Sequence, residues 1–236
     1  MPQSPQPDDL APIQVIVSAD GKVVDDAQLV AVDVEHRVNR IGRAVLTYED
    51  GAAGFRDFPL ADAKTFEPGA SIIVEARYGS GTKRKLFQGI VVAARLAIGD
   101  RNEVRLRIEC RQEAVALTLV RRSLVRQQVK DSDVITKLIS AGGLTAEVAD
   151  TKVVLPELVQ HDVTDWDFVV ARAEANGLVV VADFDKKVRL IAPDLARAAE
   201  LVVTYGRDLI RFDALLDARE QHPSASASTW SPGEQS

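Results

Sequence analysis

Polar and apolar residues alternate through the first half of the chain. In residues 104–111, Val104, Leu106, Ile108 and Cys110 fall on one side, and Arg105, Arg107, Glu109 and Arg111 on the other. Ile72, Val74, Ala76 and Tyr78 alternate with Ile73, Glu75 and Arg77; Val30, Val32, Val34 and Val38 alternate with Ala31, Asp33, Glu35 and Arg37. A period of two sends successive side chains to opposite faces of a strand, so each run predicts one buried and one polar face. Turn-forming clusters separate the runs: ADGK at 19–22, EDGAAG at 49–54, EPGA at 67–70, YGSGTK at 78–83 and IGDRN at 98–102. About six strands with short connections predict a small antiparallel barrel or sandwich between Ile13 and roughly Glu113.

The period changes beyond residue 120. KDSDVITKLISAGG reads as a helix with the apolar stripe Val134, Ile135, Leu138 and Ile139, an N-cap at Ser132 or Asp131, and a stop at Gly142-Gly143. Residues 144–149 read as a strand. A second helix follows in HDVTDWDFVVARAEANGL (161–178), where Trp166, Val169, Val170 and Ala173 share one face. Thr164 and Asp167 have the spacing of a capping box, and Asn176-Gly177 supplies a left-handed stop. Residues 178–193 predict a hairpin turning near Asp185-Lys186. Residues 120–195 therefore form a small α+β unit, and strand character returns from Glu200. Residues 221–236 are rich in Ser, Ala and Pro and have little means of burying a core.

Composition narrows the class. Of 236 residues, 46% are hydrophobic and 27% charged, as in a globular protein. The net charge of -6 weighs against a duplex nucleic-acid binder, which usually presents a basic face. A single cysteine, Cys110, excludes an intramolecular disulfide and fits a reducing compartment. No apolar run approaches the roughly 20 residues of a membrane span, and the N-terminus lacks the basic and apolar regions of a signal peptide. Residues 1–11 read as a flexible tail.

Candidate chemistry is sparse. His36, His161 and His222 lie far apart and in no ligand spacing. Cys110 sits on the apolar face of its strand, where it acts as a small hydrophobe. GSGTKRK (79–85) lacks the spacing of a phosphate loop and reads as a hairpin turn. The basic run RRSLVRQQVK (121–130) reads as a solvated linker or edge strand, with a docking surface for an acidic partner as the alternative. The His, Asp and Trp residues of 161–167 suggest a metal site or an acid cluster, but from Thr164 onward each has a structural task in a capped helix. No catalytic, cofactor-binding or metal-binding residue is expected.

The second helix also resembles a known family. Gln160, Thr164, Asp165, Trp166, Phe168, Glu174 and Gly177 match an element of VgrG and phage late-control protein D, the gp27-like hubs of contractile injection systems. VNRIGRAVLTYEDG, the F-x-P-G turn of FPLADAKTFEPGASIIVEARYG and the F-x-G-I-V strand of LFQGIVVAARL are similar to that family's first barrel. VTYGRDLIRFDALLDARE and STWSPGEQ are similar to the start of its second. PELVQ and RAEANGLVV look most like the spike/hub protein of extracellular, phage-tail-like systems.

The resemblance implies a β-rich (α+β) fold of two similar antiparallel β-barrels with a small α+β insert. It sets expected boundaries: a tail at 1–11, a first barrel at 12–119, the insert at 120–198 and a truncated second barrel at 199–236. It further implies a homotrimer whose six barrels match a hexameric inner tube, with baseplate proteins as neighbours. A PAAR-type tip would be reached through a C-terminal spike beyond Ser236. No enzyme activity, cofactor, nucleic acid or membrane anchor is implied. Assembly would occur in the bacterial cytoplasm, with possible release as a particle. The alternatives are a baseplate-associated cell-wall hydrolase, which needs two carboxylates with one pKa raised, and a peptidoglycan-binding module.

Overall fold

The computed structural model describes residues 12–25, 27–51, 57–99, 103–194, 196–207, 209, 211–217, 224 and 226. The tail at 1–11, the second half of the 49–54 turn, most of the 98–102 turn, His222 and the STWSPGEQ segment lie outside the described residues. The chain divides into one unit of residues 9–196 and another made of 1–8 with 197–236.

In the first unit, seven strands form one antiparallel sheet. They are β1 (Ile13–Ala19), β2 (Lys22–Val23), β3 (Gln28–Glu35), β4 (Arg43–Glu49), β5 (Ser71–Tyr78), β6 (Arg84–Ile98) and β7 (Val104–Arg111), in the order β2-β1-β5-β6-β7-β4-β3. The fold is mostly antiparallel β with few helices. One face of the sheet gathers Val17, Leu46, Tyr48, Ile72, Val74, Phe87, Leu106, Ile108 and Cys110 into a single apolar core. The alternation read over 104–110 is realised, with Val104, Leu106, Ile108 and Cys110 all buried.

Two alternations break. A bulge between Leu29 and Ala31 turns Val30 outward to 47% exposure, while Leu29, Val32 and Val34 pack on the core. The extra residue shifts the two-residue period by one, so Val30 changes face. Tyr78 ends β5 at the sheet margin and is exposed instead of sharing the buried face.

Gly89 of the F-x-G-I-V strand has a steric reason. A Cβ there would lie 2.1 Å from the Arg111 carbonyl oxygen, so only glycine lets β6 and β7 approach at this point. In the F-x-P-G turn, the Ala70 amide donates to the Glu67 carbonyl at 3.0 Å and Gly69 takes φ +97°. The short helix α1 (Pro59–Asp62) is capped from outside its own segment: the buried Asp50 carboxylate accepts the Leu60 and Ala61 amides, each at 2.8 Å.

A second apolar core lies under the α+β elements. They are β8 (Arg121–Lys130), α2 (Asp131–Ala141), β9 (Thr145–Val148), β10 (Val154–Thr164), α3 (Asp165–Ala175), β11 (Val179–Ala182) and β12 (Lys187–Ile191). The core includes Ile135, Ile139, Leu158, Trp166, Phe168, Val169, Val180 and Leu190. β8 and β10 form an antiparallel ribbon; β11, β12 and β9 form a small sheet in which β12 and β9 run parallel. The hairpin turns at Asp185 and Lys186, both at positive φ, as the sequence predicts.

The start of α2 differs from expectation. Asp131 and Ser132 are buried inside the helix, and the N-cap is Lys130, which makes no side-chain cap. The last residue of β8 is a lysine, whose ammonium offers no acceptor to the first amides of α2. The Thr151 hydroxyl accepts the Ser132 amide at 3.0 Å instead.

In the second unit, the strand pattern read from Glu200 is not realised among the described residues. They hold an isolated bridge between Tyr205 and Leu209, and Leu201, Val203, Tyr205 and Phe212 are exposed. Alternation specifies a strand only where a neighbouring strand supplies hydrogen-bond partners.

Candidate functional site

The helix that carries the family-like signature is the centre of the best-built polar cluster. Thr164 N-caps α3, its hydroxyl accepting the Asp167 amide at 3.1 Å. The rest of the predicted capping box is different: Asp167 does not reach back to the Thr164 amide, which lies in the β8–β10 ladder. Its carboxylate accepts the Thr164 hydroxyl at 2.6 Å. Gly177, at φ +69°, ends the helix; the Leu178 amide donates to Ala173 and that of Gly177 to Glu174.

Gln160 and Asp165 lock the helix onto β10. A bulge in β10, with Asp162 at φ +44°, lets the buried Gln160 donate to the Asp165 carboxylate at 2.9 Å. Arg122 donates to the same carboxylate at 3.0 Å, and Arg126 donates to the Gln160 side-chain oxygen Oε1. Trp166, only 5% exposed, and Phe168 fill the core beneath. On the next turns, Arg172 grips Asp131 of α2 and Asn176 adds a third bond. Burial alone would raise the Asp131 carboxyl. The hydrogen bonds from Arg172 and Asn176, with the Arg172 charge, outweigh it and hold the carboxyl below its ordinary value.

The basic run 121–130 is an edge-strand element whose cations are engaged within the chain. Arg121 pairs with Asp162, Arg122 with Asp165 and Lys130 with Asp150, while Arg126 holds Gln160. Its charge is largely neutralised locally.

A different basic cluster assembles from residues scattered in sequence. Arg37 and Arg40 from the β3–β4 connection, Arg43 from the start of β4 and Arg111 from the end of β7 line one side of a groove of about 660 Å³, with Glu35 from the end of β3 among them. The outward face of α3, with Asp167, Val170, Ala171 and Glu174, forms the other side, and Ile41 and Trp166 contribute apolar lining. Sequence reading missed this groove because its arginines are separated by up to 74 positions along the chain, from Arg37 to Arg111. Asn39 bridges the two sides. At φ +59° it donates its side chain to Glu174 at 3.0 Å, accepts the Val180 amide at 2.8 Å and donates its own amide to Val180 at 2.7 Å. The buried Gln112 adds a second tie: its side chain accepts the Gly42 amide and donates to the Ala182 carbonyl.

The remaining singled-out residues are dispersed. His36 donates through Nε2 to the Leu86 carbonyl at 2.8 Å and packs edge-on to Phe184. His161 is exposed on β10. Cys110 is fully buried, and burial, with Glu109 nearby, pushes its thiol up to about 12. GSGTKRK turns the β5–β6 hairpin, with the Gly81 amide donating to Tyr78. Among the described residues, no three His, Cys, Asp or Glu side chains gather closely enough to hold a metal ion. No helix among them is long and apolar enough to cross a membrane.

Residues 8–236 match the model of the Alg8 N-terminal domain. The chain belongs to the Alg8 N-terminal domain family. No curated protein sequence matches it. This Alg8 N-terminal domain is similar in fold to the 43 kDa tail protein of prophage MuSo2 from Shewanella oneidensis, with TM-score 0.58 and 12% identity over 75% of this chain and 53% of that one. A tail protein from Neisseria meningitidis gives TM-score 0.57 and 15% identity over 79% and 52%. An E. coli component of the type VI secretion system, described as structurally similar to the T4 bacteriophage tail proteins gp27 and gp5, gives 0.52 and 11% over 78% and 47%. The chain thus spans about half the length of the tail proteins it matches. The likeness to these tail proteins and to the type VI secretion component holds at the level of fold, while the family assignment rests on the Alg8 N-terminal domain.

Proposed function

We propose that this chain is a structural, non-enzymatic part of a phage-tail-like injection machine: a hub subunit at the baseplate, where inner tube meets spike. The observation that carries the reading is the fold shared with phage tail proteins and a type VI secretion component. In this reading three copies form the hub, a hexameric inner tube seats above it, and baseplate proteins and a PAAR-tipped spike complete the assembly. The machine is of the extracellular, contractile type, assembled in the bacterial cytoplasm. The carboxylates favour this reading over a hydrolase. Among the described residues, those with displaced pKa, Asp131, Asp150 and Asp185, are all lowered by basic partners, whereas a glycosidic general acid needs its pKa raised.

Native mass measurement on the gene product tests the proposal. A trimer, seated in particles whose reconstruction shows threefold symmetry at the hub, is the expected result. A stable monomer at micromolar concentration that cleaves or retains peptidoglycan overturns it.

A further inference from the structure

We propose that the groove between the β3–β4 connection and α3 docks an extended, acidic segment of a partner polypeptide. The inference rests on the groove alone and stands or falls independently of the hub reading. The chain is acidic, with net charge -6, yet this groove sets four arginines on one side, with one carboxylate, Glu35, beside them and two, Asp167 and Glu174, across from them. Internal partners only partly satisfy them. Glu35 serves both Arg37, at 2.5 Å, and Arg43, at 3.4 Å, while Arg111 turns to Glu109. The exposed Arg40 side chain has no ion pair or hydrogen bond among the described residues. The contrast with residues 121–130 is direct, since each cation of that run has a partner at hand.

The opposite side fixes the polarity of the occupant. Asp167 and Glu174 project from α3, so a partner's carboxylates are drawn to the arginine side and repelled from the helix. Val170, Ala171 and Ile41 lie between and suit apolar side chains alternating with the acids, which is the arrangement of an extended strand. The volume of about 660 Å³ admits a few residues of such a segment. The Asn39 bridge holds both sides in place before binding, which lowers the ordering cost.

Fluorescence anisotropy on the 236-residue chain tests this, with a fluorescein-labelled peptide of alternating Glu and Leu as the probe. The same peptide with Lys in place of Glu is the control. The acidic peptide is expected to bind, and to weaken as salt rises from about 50 to about 300 mM. Arg40→Glu is expected to weaken it by about tenfold or more, and Asp167→Asn, which removes a repelling charge but keeps an acceptor for the Thr164 hydroxyl, to strengthen it. Arg40 is exposed and unpaired among the described residues, so thermal melting should show the variant folded. Asp167→Asn reads the same field with opposite sign if it does not. No binding, equal binding of the Lys peptide, equal competition by duplex DNA of matched charge, or a change of affinity in neither variant would each overturn the proposal.

Discussion

Arg172 on α3 and Asp131 at the start of α2 form a two-pronged ion pair, Nε to Oδ1 at 2.6 Å and Nη2 to Oδ2 at 2.7 Å. Asn176 donates to the same carboxylate at 2.9 Å, and the Asp131 side chain is only 6% exposed. The pair ties together helices whose apolar faces meet below it. Removing one partner strands the other in a poorly solvated position. Asp131→Ala should therefore destabilise the protein by about 3 kcal/mol or more, read from urea unfolding. A loss below about 1 kcal/mol would reduce the pair to the standing of a surface ion pair.

The same pair predicts a pH dependence. The folded Asp131 carboxyl lies below its ordinary value, which is about 3.9 in the unfolded chain. The folded state therefore binds the proton less readily than the unfolded state. Its contribution is complete above roughly pH 4 and is lost as pH falls through the lower, folded value. The stability difference between the wild type and Asp131→Asn should be constant at neutral pH and shrink in that acidic window. A difference that instead shrinks above neutral pH would contradict the assignment.

In the first turn of a helix, Asp165 would ordinarily contribute about 1 kcal/mol through the helix dipole. Its position argues for more. It is buried and accepts bonds from Gln160 and Arg122, and Gln160 is itself buried. Asp165→Ala leaves one N–H of the buried Gln160 amide without an acceptor, while the Val163 carbonyl remains for the other, so the loss should reach about 2 kcal/mol. The double change Asp165→Ala with Gln160→Leu should cost less than the sum of the single changes, because the stranded donor is gone.

Local signals were legible where local chemistry decides. The Thr164 cap, the Gly177 stop, the Asp185-Lys186 turn and the alternation of Val104 to Cys110 all depend on residues within a few positions of one another. Signals that depend on distant partners were not. Nothing near Lys130 shows that Thr151 will satisfy the start of α2, and nothing near residues 121–130 shows that Asp150, Asp162 and Asp165 will engage their cations. The arginine groove is the clearest case: Arg37, Arg40, Arg43 and Arg111 meet only after β3, β4 and β7 pair, and α3 closes the opposite side. Val30 shows the reverse failure, an apolar residue in perfect period that a bulge turns outward.

Cys110 offers a probe of opening. It is fully buried in the sheet core, and burial raises its thiol to about 12. Both protection from reagent and scarcity of thiolate suppress its reactivity. A disulfide reagent such as DTNB should label the native protein only through opening of the sheet and label it at once in denaturant. Fast labelling under native conditions would show that the β6–β7 region opens locally.

Gly89 offers the sharpest test of sheet geometry. An added Cβ would sit 2.1 Å from the Arg111 carbonyl oxygen and 2.9 Å from Phe87 Cζ. The first obstacle is backbone held in the β6–β7 ladder, which cannot swing aside like a side-chain end. Relief requires β6 and β7 to separate locally, breaking ladder bonds beside Ile90 and Arg111. Gly89→Ala should therefore cost about 3 kcal/mol, at the upper end for overpacking by one methyl. Gly99→Ala is the control, because its Cβ would meet nothing closer than 3.7 Å, an ordinary contact. That change should stay within about 0.5 kcal/mol. Arg111 also lines the groove. Separation of β6 from β7 should thus weaken the acidic peptide in Gly89→Ala and leave it unchanged in Gly99→Ala. Equal stability of the two variants would show that β6 and β7 are not in close approach at this glycine.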